Sequence, residues 1–115
     1  MLFRSQHAIA RLGGEVAAAV AAALSAAGAM ERGEEVTLAV ASAKIRTAEA
    51  ARDGALIAHQ VHGAIGVTDE HALHHSTLRL WAWREEYGAE AEWATALGQI
   101  VQERGAGSFW PTITA

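Results

Sequence analysis

The chain has 115 residues, 51% of them hydrophobic, and a formal net charge of −4, which suits one small domain with its own core. It contains no cysteine, which excludes disulfides, thiolate zinc sites and cysteine nucleophiles and fits a cytoplasmic location. No run of lysine and arginine is present, so we predict no nucleic-acid partner.

The first predicted helix covers about residues 6–27. Its larger apolar residues recur every three or four positions and form one stripe: Ile9, Leu12, Val16, Val20 and Leu24. The apolar run from Val16 to Ala27 is shorter than the roughly 20 residues that a membrane helix needs. We therefore predict a buried helix of a bundle and no membrane span, followed by a polar turn over residues 29–32.

The second predicted helix starts near Glu34 and ends at Gly63 and Gly66. Alanines lie on several of its faces, so neighbouring helices can approach closely and this helix is predicted to be central. Its charged residues are predicted to form a solvated face: Lys44, Arg46, Glu49, Arg52 and Asp53. Within this face, Glu49 and Arg52 have the spacing of an ion pair one helical turn apart.

The third predicted helix begins with Thr68 or Asp69 as its N-cap and runs to about Tyr87. Glu70 falls in its first turn, where the helix dipole favours a negative charge. Gly88 marks the break after this helix.

A fourth helix is predicted over residues 89–104, and Gly105 and Gly107 stop it. The tail over residues 108–115 is apolar and is predicted to be nonhelical. Taken together, these elements predict an all-α fold, an antiparallel (up-down) helix bundle with short loops.

Five of the six histidines lie within residues 59–75. His59 and His62 are one helical turn apart, and His71 and His74 repeat that spacing. A metal site needs three or four convergent ligands with partners behind them, and the HExxH pattern is absent from the sequence. We predict no metal site, and no serine or aspartate stands in the context of a catalytic triad.

The glycines in this region are more informative than the histidines. Gln60 places an amide side chain one turn before the predicted helix end, and Gly63 leaves the helix surface bare for close approach by a ligand or another chain. Gly66 suits a left-handed turn, and the next helix begins with free backbone N–H groups that can meet an anion. An alternative without any ligand explains the same residues: a helix–turn–helix in which the glycines only mark the end of a helix.

Residues 60–71, Q-V-H-G-A-I-G-V-T-D-E-H, resemble the segment Q-[VI]-[HL]-G-G-x-G-[FY]-[TN]-x-E-[HY] of the C-terminal helical domain of acyl-CoA dehydrogenases. Residues 6–12 resemble a helix opening of that domain, and residues 107–111 resemble a tail found in one branch of the family. The resemblance therefore extends over nearly the whole chain.

The resemblance implies a function. Acyl-CoA dehydrogenases oxidise the α,β bond of an acyl-CoA thioester: a carboxylate base removes the α-proton, and FAD takes the β-hydrogen as hydride. An electron-transfer carrier then reoxidises the flavin. The resemblance also implies that Gln60, Gly63 and Ala64 contact the FAD of a neighbouring protomer at a subunit interface, in a homo- or hetero-oligomer. Ala64 stands where the family pattern has glycine.

Glu86 is the candidate catalytic base, as the carboxylate nearest to the position that the resemblance implies. In part of the family a glutamate directly precedes a Gly-Thr pair, but here Tyr87 precedes Gly88 and Glu86 is one position earlier. One position rotates a helical side chain by about 100°. Three interpretations stay open: Glu86 acts from a shifted backbone, the base lies on an earlier helix, or this subunit is noncatalytic beside an active partner.

Family members are several times longer, with an N-terminal helical domain and a central β domain. We therefore expect residues 1–115 to be a single, truncated C-terminal helical-bundle domain that is inactive alone. Residues 1–5 are expected to be non-native, because Leu2–Ser5 can be encoded by the end of a widely used sequencing adapter. The alternative is a small helical interaction subunit without catalysis of its own.

Overall fold

The computed structural model describes residues 2–65 and 70–114. In these ranges the chain forms helices and no strand, which confirms the predicted all-α class. The α-helices are α1 (Leu2–Glu31), α2 (Thr37–Ile65), α3 (Glu70–Glu85), α4 (Glu90–Arg104) and α5 (Phe109–Thr114), with a short 3-10 helix at Ala106–Ser108 between the last two.

Helix α2 is the central element, as its alanine-rich faces predicted. Helix α1 packs antiparallel to it: Glu15 meets Arg46, and Leu12, earlier in α1, meets Gly54, later in α2. Antiparallel packing places the two ends of the 32–36 turn side by side, so a short connection suffices.

Helices α3 and α4 also run antiparallel to α2, each along a different part of it. Thr77 of α3 is hydrogen-bonded to His59, so α3 lies beside the C-terminal half of α2. Val101 of α4 lines the same cavity as Leu38, so α4 lies beside the N-terminal half. The molecule is consequently a rod with extents of 50 × 29 × 25 Å.

The core consists largely of small side chains. The buried apolar residues are Ala26 and Ala29 on α1 and Ala41, Ala48, Ala51, Ala55 and Ile57 on α2. A Cβ added to Gly54 would lie 3.2 Å from Leu12 Cδ1, so this glycine lets α1 and α2 approach closely. Ile57, which is 2% exposed, is the largest fully buried apolar side chain in the described ranges.

Most of the larger apolar residues of α1 do not point into this core. Val16, Val20 and Leu24 are exposed by 52%, 51% and 67%, so the prediction of a buried helix is wrong for these residues of the stripe. The contact with α2 is made by Leu12, which lies against Gly54, and by alanines, whose short side chains let the helices approach.

Helix α1 is also longer than predicted, with 30 residues instead of about 22. It is long and apolar enough to cross a membrane by length and composition. A single helix of this kind is weak support for a membrane span, and the argument from a short apolar run no longer applies.

Helix α1 continues through most of the predicted turn and ends in a Schellman motif. Gly33 has a φ of +67°, a left-handed conformation that glycine adopts without a Cβ clash. Its N–H donates to Met30 O, and the Glu34 N–H donates to Ala29 O, both at 3.1 Å. These bonds satisfy carbonyls that a helix end otherwise leaves unpaired.

Helix α2 begins at Thr37 rather than near Glu34, and a side chain pairs one of its first backbone donors. The Glu35 carboxylate accepts a hydrogen bond from the Thr37 N–H at 2.6 Å, which satisfies one of the donors that a helix start leaves unpaired. Hydrogen bonding to Thr37 holds the pKa of Glu35 below its ordinary value.

Some of the charged residues of α2 bridge helices, although Arg52 keeps half of its side chain exposed, as predicted for a solvated face. Arg46 donates to Glu15 of α1 at 2.8 Å and also to Glu49, so the partner of Glu49 is not Arg52. Arg52 pairs with Glu90 of α4 at 2.9 Å. The hydrogen bond to Glu15 is the main cause that raises the pKa of Arg46.

The tail is helical, contrary to the prediction. Gly105, with a φ of +79°, ends α4 as expected, but the chain then enters the 3-10 helix and α5. Pro111 lies in the first turn of α5, where a backbone N–H has no helical partner to lose. Thr112 is buried, so this short helix is packed against the bundle.

Candidate functional site

The turn between α3 and α4 carries Glu86 and is held by two side chains from elsewhere. Lys44 Nζ donates to the Glu86 carbonyl at 2.6 Å, and Trp93 Nε1 donates to the Tyr87 carbonyl at 3.0 Å. Tyr87 has a φ of +58° and Gly88 a φ of +100°. Consecutive left-handed residues redirect the chain from α3 into α4, and the two hydrogen bonds hold them in place.

The side chain of the candidate base is exposed. Glu86 lies in the turn, after the last residue of α3. The neighbouring Tyr87 is 89% exposed, and Glu86 itself is also exposed. In this chain alone, the carboxylate of Glu86 therefore faces water and not an enclosed site.

Gly88→Ala is expected to destabilise the protein by about 1–3 kcal/mol, as strained backbone positions do. Its φ of +100° disfavours any side chain, and an added Cβ would lie 2.7 Å from Trp93 Nε1. Urea unfolding followed by circular dichroism measures the loss.

The matched control is Gly98→Ala, because an added Cβ there meets nothing within 4 Å. Alanine favours the helix by about 1 kcal/mol over glycine, so this variant is expected to gain stability. Equal losses in the two variants would contradict the role given to the turn.

The residues expected to contact the cofactor lie on the last turns of α2. Gln60 and Gly63 are both exposed, and an added Cβ at Gly63 would meet nothing within 4 Å. The backbone of Ala64 continues the helix. The predicted turn at Gly66 and the N-cap at 68–69 lie outside the described residues.

Gln60 and Gly63 can contact a bound group from one side only. An amide that can donate and accept hydrogen bonds lies one turn from bare backbone, so a flat group from another chain can rest against the helix. Nothing in the described part of the chain encloses the other side of such a group. Within the described residues, Gln60 and Gly63 therefore form part of an open surface and not a complete pocket.

The structure does not bring Glu86 together with Gln60 and Gly63. They lie at opposite ends of α3, whose 16 residues span about 24 Å at 1.5 Å per residue. Within one chain these residues cannot act on the same atoms.

One histidine links two helices, and a second bonds within its own helix. His59 Nε2 and Thr77 Oγ1 are hydrogen-bonded at 2.8 Å, and His62 Nδ1 lies 2.8 Å from the Ala58 carbonyl. Thr77 is only 2% exposed, so the first bond links α2 and α3 in a buried position. Among the residues that the structure describes, no three histidine or carboxylate side chains gather as metal ligands.

The sequence interpretation missed a groove between α2 and α3. It has a volume of about 560 Å³ and is lined by Arg52, Ala55, Leu56, His59, Trp81 and Arg84. Arg84 Nε is buried and forms no hydrogen bond, although Glu85 lies 3.4 Å from it as an ion-pair partner. The spacing of Trp81 and Arg84, one helical turn apart, was the available signal.

Comparison with protein families identifies the family of the chain. The family model described as acyl-CoA dehydrogenase, C-terminal domain, matches residues 4–90. This match includes α1, α2, α3 and the turn that carries Glu86. No curated protein and no solved structure matches the chain. Because the family model covers most of its length, the chain belongs to the acyl-CoA dehydrogenase family and represents its C-terminal domain.

Proposed function

We propose that this chain is the C-terminal part of a flavin-dependent acyl-CoA dehydrogenase. It contributes to FAD contact and to a subunit interface, and it is inactive alone. The observation that supports this most is the exposed pair Gln60 and Gly63 on one end of α2, inside the region matched by the family model.

In the assembled enzyme, Gln60 and Gly63 hold one edge of the FAD. The Gln60 amide offers hydrogen bonds to a polar group of the nucleotide, and Gly63 allows the backbone of α2 to approach it. Ala64 adds a methyl group where the family pattern has glycine. When bound, FAD supplies the hydride acceptor for α,β-dehydrogenation of an acyl-CoA thioester, and an electron-transfer carrier reoxidises it.

Glu86 is the proposed proton acceptor on this chain. A carboxylate becomes a stronger base when an apolar surface removes it from water, and Glu86 is exposed in the isolated chain. Cover from another domain or protomer would supply that surface, while Lys44 and Trp93 keep the turn in position. This dependence on a cover is one reason why the chain alone is inactive.

The isolated 115-residue chain is expected not to retain FAD. Gln60 and Gly63 contact only one side of the cofactor, so too little of its surface is removed from water for tight binding. The measurement is gel filtration of the chain after incubation with FAD, with visible absorbance recorded across the protein peak.

Free FAD on the same column provides the baseline. A protein peak without yellow colour agrees with a partial site that another chain completes. A peak that carries stoichiometric flavin would contradict the proposal that this chain holds only one edge of the cofactor.

A further inference from the structure

Two consecutive carbonyls in the turn between α3 and α4 accept hydrogen bonds from side chains outside the turn. The Glu86 carbonyl accepts from Lys44 Nζ at 2.6 Å, and the Tyr87 carbonyl accepts from Trp93 Nε1 at 3.0 Å. A peptide group is planar, so fixing both carbonyls fixes the two peptide planes on either side of Tyr87. The backbone between them, with its φ of +58° at Tyr87, is thereby held in one conformation.

The two donors have different effects because they come from different places in the chain. Trp93 lies on α4, six residues after Tyr87, so its bond closes the turn against the helix that follows it. Lys44 lies on α2, 42 residues from Glu86. Its bond therefore sets where the turn lies relative to the central helix.

The chemistry of a lysine suits this position. Glu86 directly follows the last residue of α3, and the carbonyls at the C-terminal end of a helix lack helical partners and carry partial negative charge. An ammonium group offers three donors at the end of a long side chain. Hydrogen bonds from a charged donor are stronger than those from a neutral one.

The part of α2 that carries Lys44 is itself tied to its neighbours. Arg46, two residues further along α2, donates to Glu15 of α1 at 2.8 Å. On the other side of the turn, Arg52 of α2 pairs with Glu90, the first residue of α4, at 2.9 Å. The turn is consequently connected to α2 both where it begins and where it ends.

We propose that Lys44 is a positioning residue for Glu86, acting through the backbone of the turn and not on the reacting atoms. Helix α2 also carries Gln60 and Gly63, and it rises about 24 Å from Lys44 to Gln60. Through Lys44, this one helix sets the position of the turn with the proposed base relative to the proposed flavin contact.

The inference rests on the proposed function, which assigns the base to Glu86 and the flavin contact to Gln60. The hydrogen bond from Lys44 is a property of the chain alone, so its test needs no cofactor. A turn that moves freely would contradict the inference and leave the flavin contact standing. Failure to contact FAD would contradict the proposed function and leave the measured position of the turn unchanged.

Spin-label distances between Gln60→Cys and Tyr87→Cys measure the position of the turn, and the chain itself contains no cysteine. Both positions are exposed, so the labels replace no buried side chain. A single narrow distance distribution centred at about 24 Å is expected, from the rise of the helix. Lys44→Met, which lacks the donor, is expected to broaden the distribution about twofold or more, because the turn then opens locally.

Three further variants separate the hydrogen bond from other effects of Lys44. Lys44→Arg keeps a charged donor and is expected to restore the narrow distribution. Arg79→Met removes an exposed cation from α3 and is expected to leave the distribution unchanged. Circular dichroism checks that each variant keeps its helices. If Lys44→Met loses them, Lys44→Ala, a good helix former, replaces it with the same expected broadening.

Four results would overturn the proposal. They are a broad distribution in the chain that keeps Lys44, a narrow distribution in a folded variant without the donor, equal broadening in Arg79→Met, and failure of Lys44→Arg to restore the narrow distribution. The last result would show that the turn does not depend on a donor at this position.

Discussion

Replacing Ile57 by alanine is expected to lower the free energy of unfolding by about 2–4 kcal/mol. Ile57 is 2% exposed, and the core around it is made of alanines too short to fill the cavity. Small domains have total stabilities of about 5–15 kcal/mol, so the loss is a large part of the whole. Urea unfolding of both proteins measures the difference.

Leu56→Ala is the matched control, since this neighbouring leucine is 59% exposed. Its expected loss is below about 1 kcal/mol, as for most surface substitutions. If the two variants lost the same stability, Ile57 would not be the main apolar side chain of the core.

Gly54→Leu is expected to destabilise the protein by about 2–3 kcal/mol, as overpacking of a filled contact does. The first added carbon would already lie 3.2 Å from Leu12 Cδ1, and three more carbons follow it. The larger side chain forces α1 away from α2, and thermal unfolding detects this as a lower melting temperature.

Two further variants separate this clash from the intrinsic effect of leucine in a helix. Gly98→Leu, in open space, is expected to gain stability by about 0.8 kcal/mol. Leu12→Ala combined with Gly54→Leu makes room for the new side chain, so the two changes are expected to couple favourably. Strictly additive losses would show that Gly54 and Leu12 are not in tight contact.

Composition and glycine spacing predict most of the fold. Alanine is abundant and proline occurs once, which favours helix, and Gly88 and Gly105 set the limits of α4 to within one residue of the prediction. Alanine on several faces of α2 correctly predicted a helix with neighbours on more than one side. In each case a local property of the residue determines the result.

The predictions are wrong where a distant part of the chain determines the burial or the partner of a residue. Periodicity shows that α1 has a stripe of large apolar residues, but it does not show which surface covers that stripe. Arg46 pairs with Glu15, 31 residues away, so spacing within α2 could not identify its partner. The tail was predicted to be nonhelical because periodicity gave no sign that a new helix begins at residue 109.

The sequence predicted the positions of some candidate-site residues but not the contacts that hold the site. The position of Gln60 and Gly63 near the end of α2 follows from the glycine pattern and is confirmed. Their roles with FAD come from the family resemblance and stay predictions. The turn around Glu86 depends on Lys44, 42 residues away, which no local pattern reveals.

The central claim is that this chain is part of a larger flavoenzyme. Sequencing genomic DNA upstream of the Met1 codon tests it most directly. The claim predicts a reading frame that continues upstream, without a stop codon, into a β domain and a second helical domain. A stop codon and a promoter immediately before Met1 would contradict it and would indicate a small helical interaction subunit.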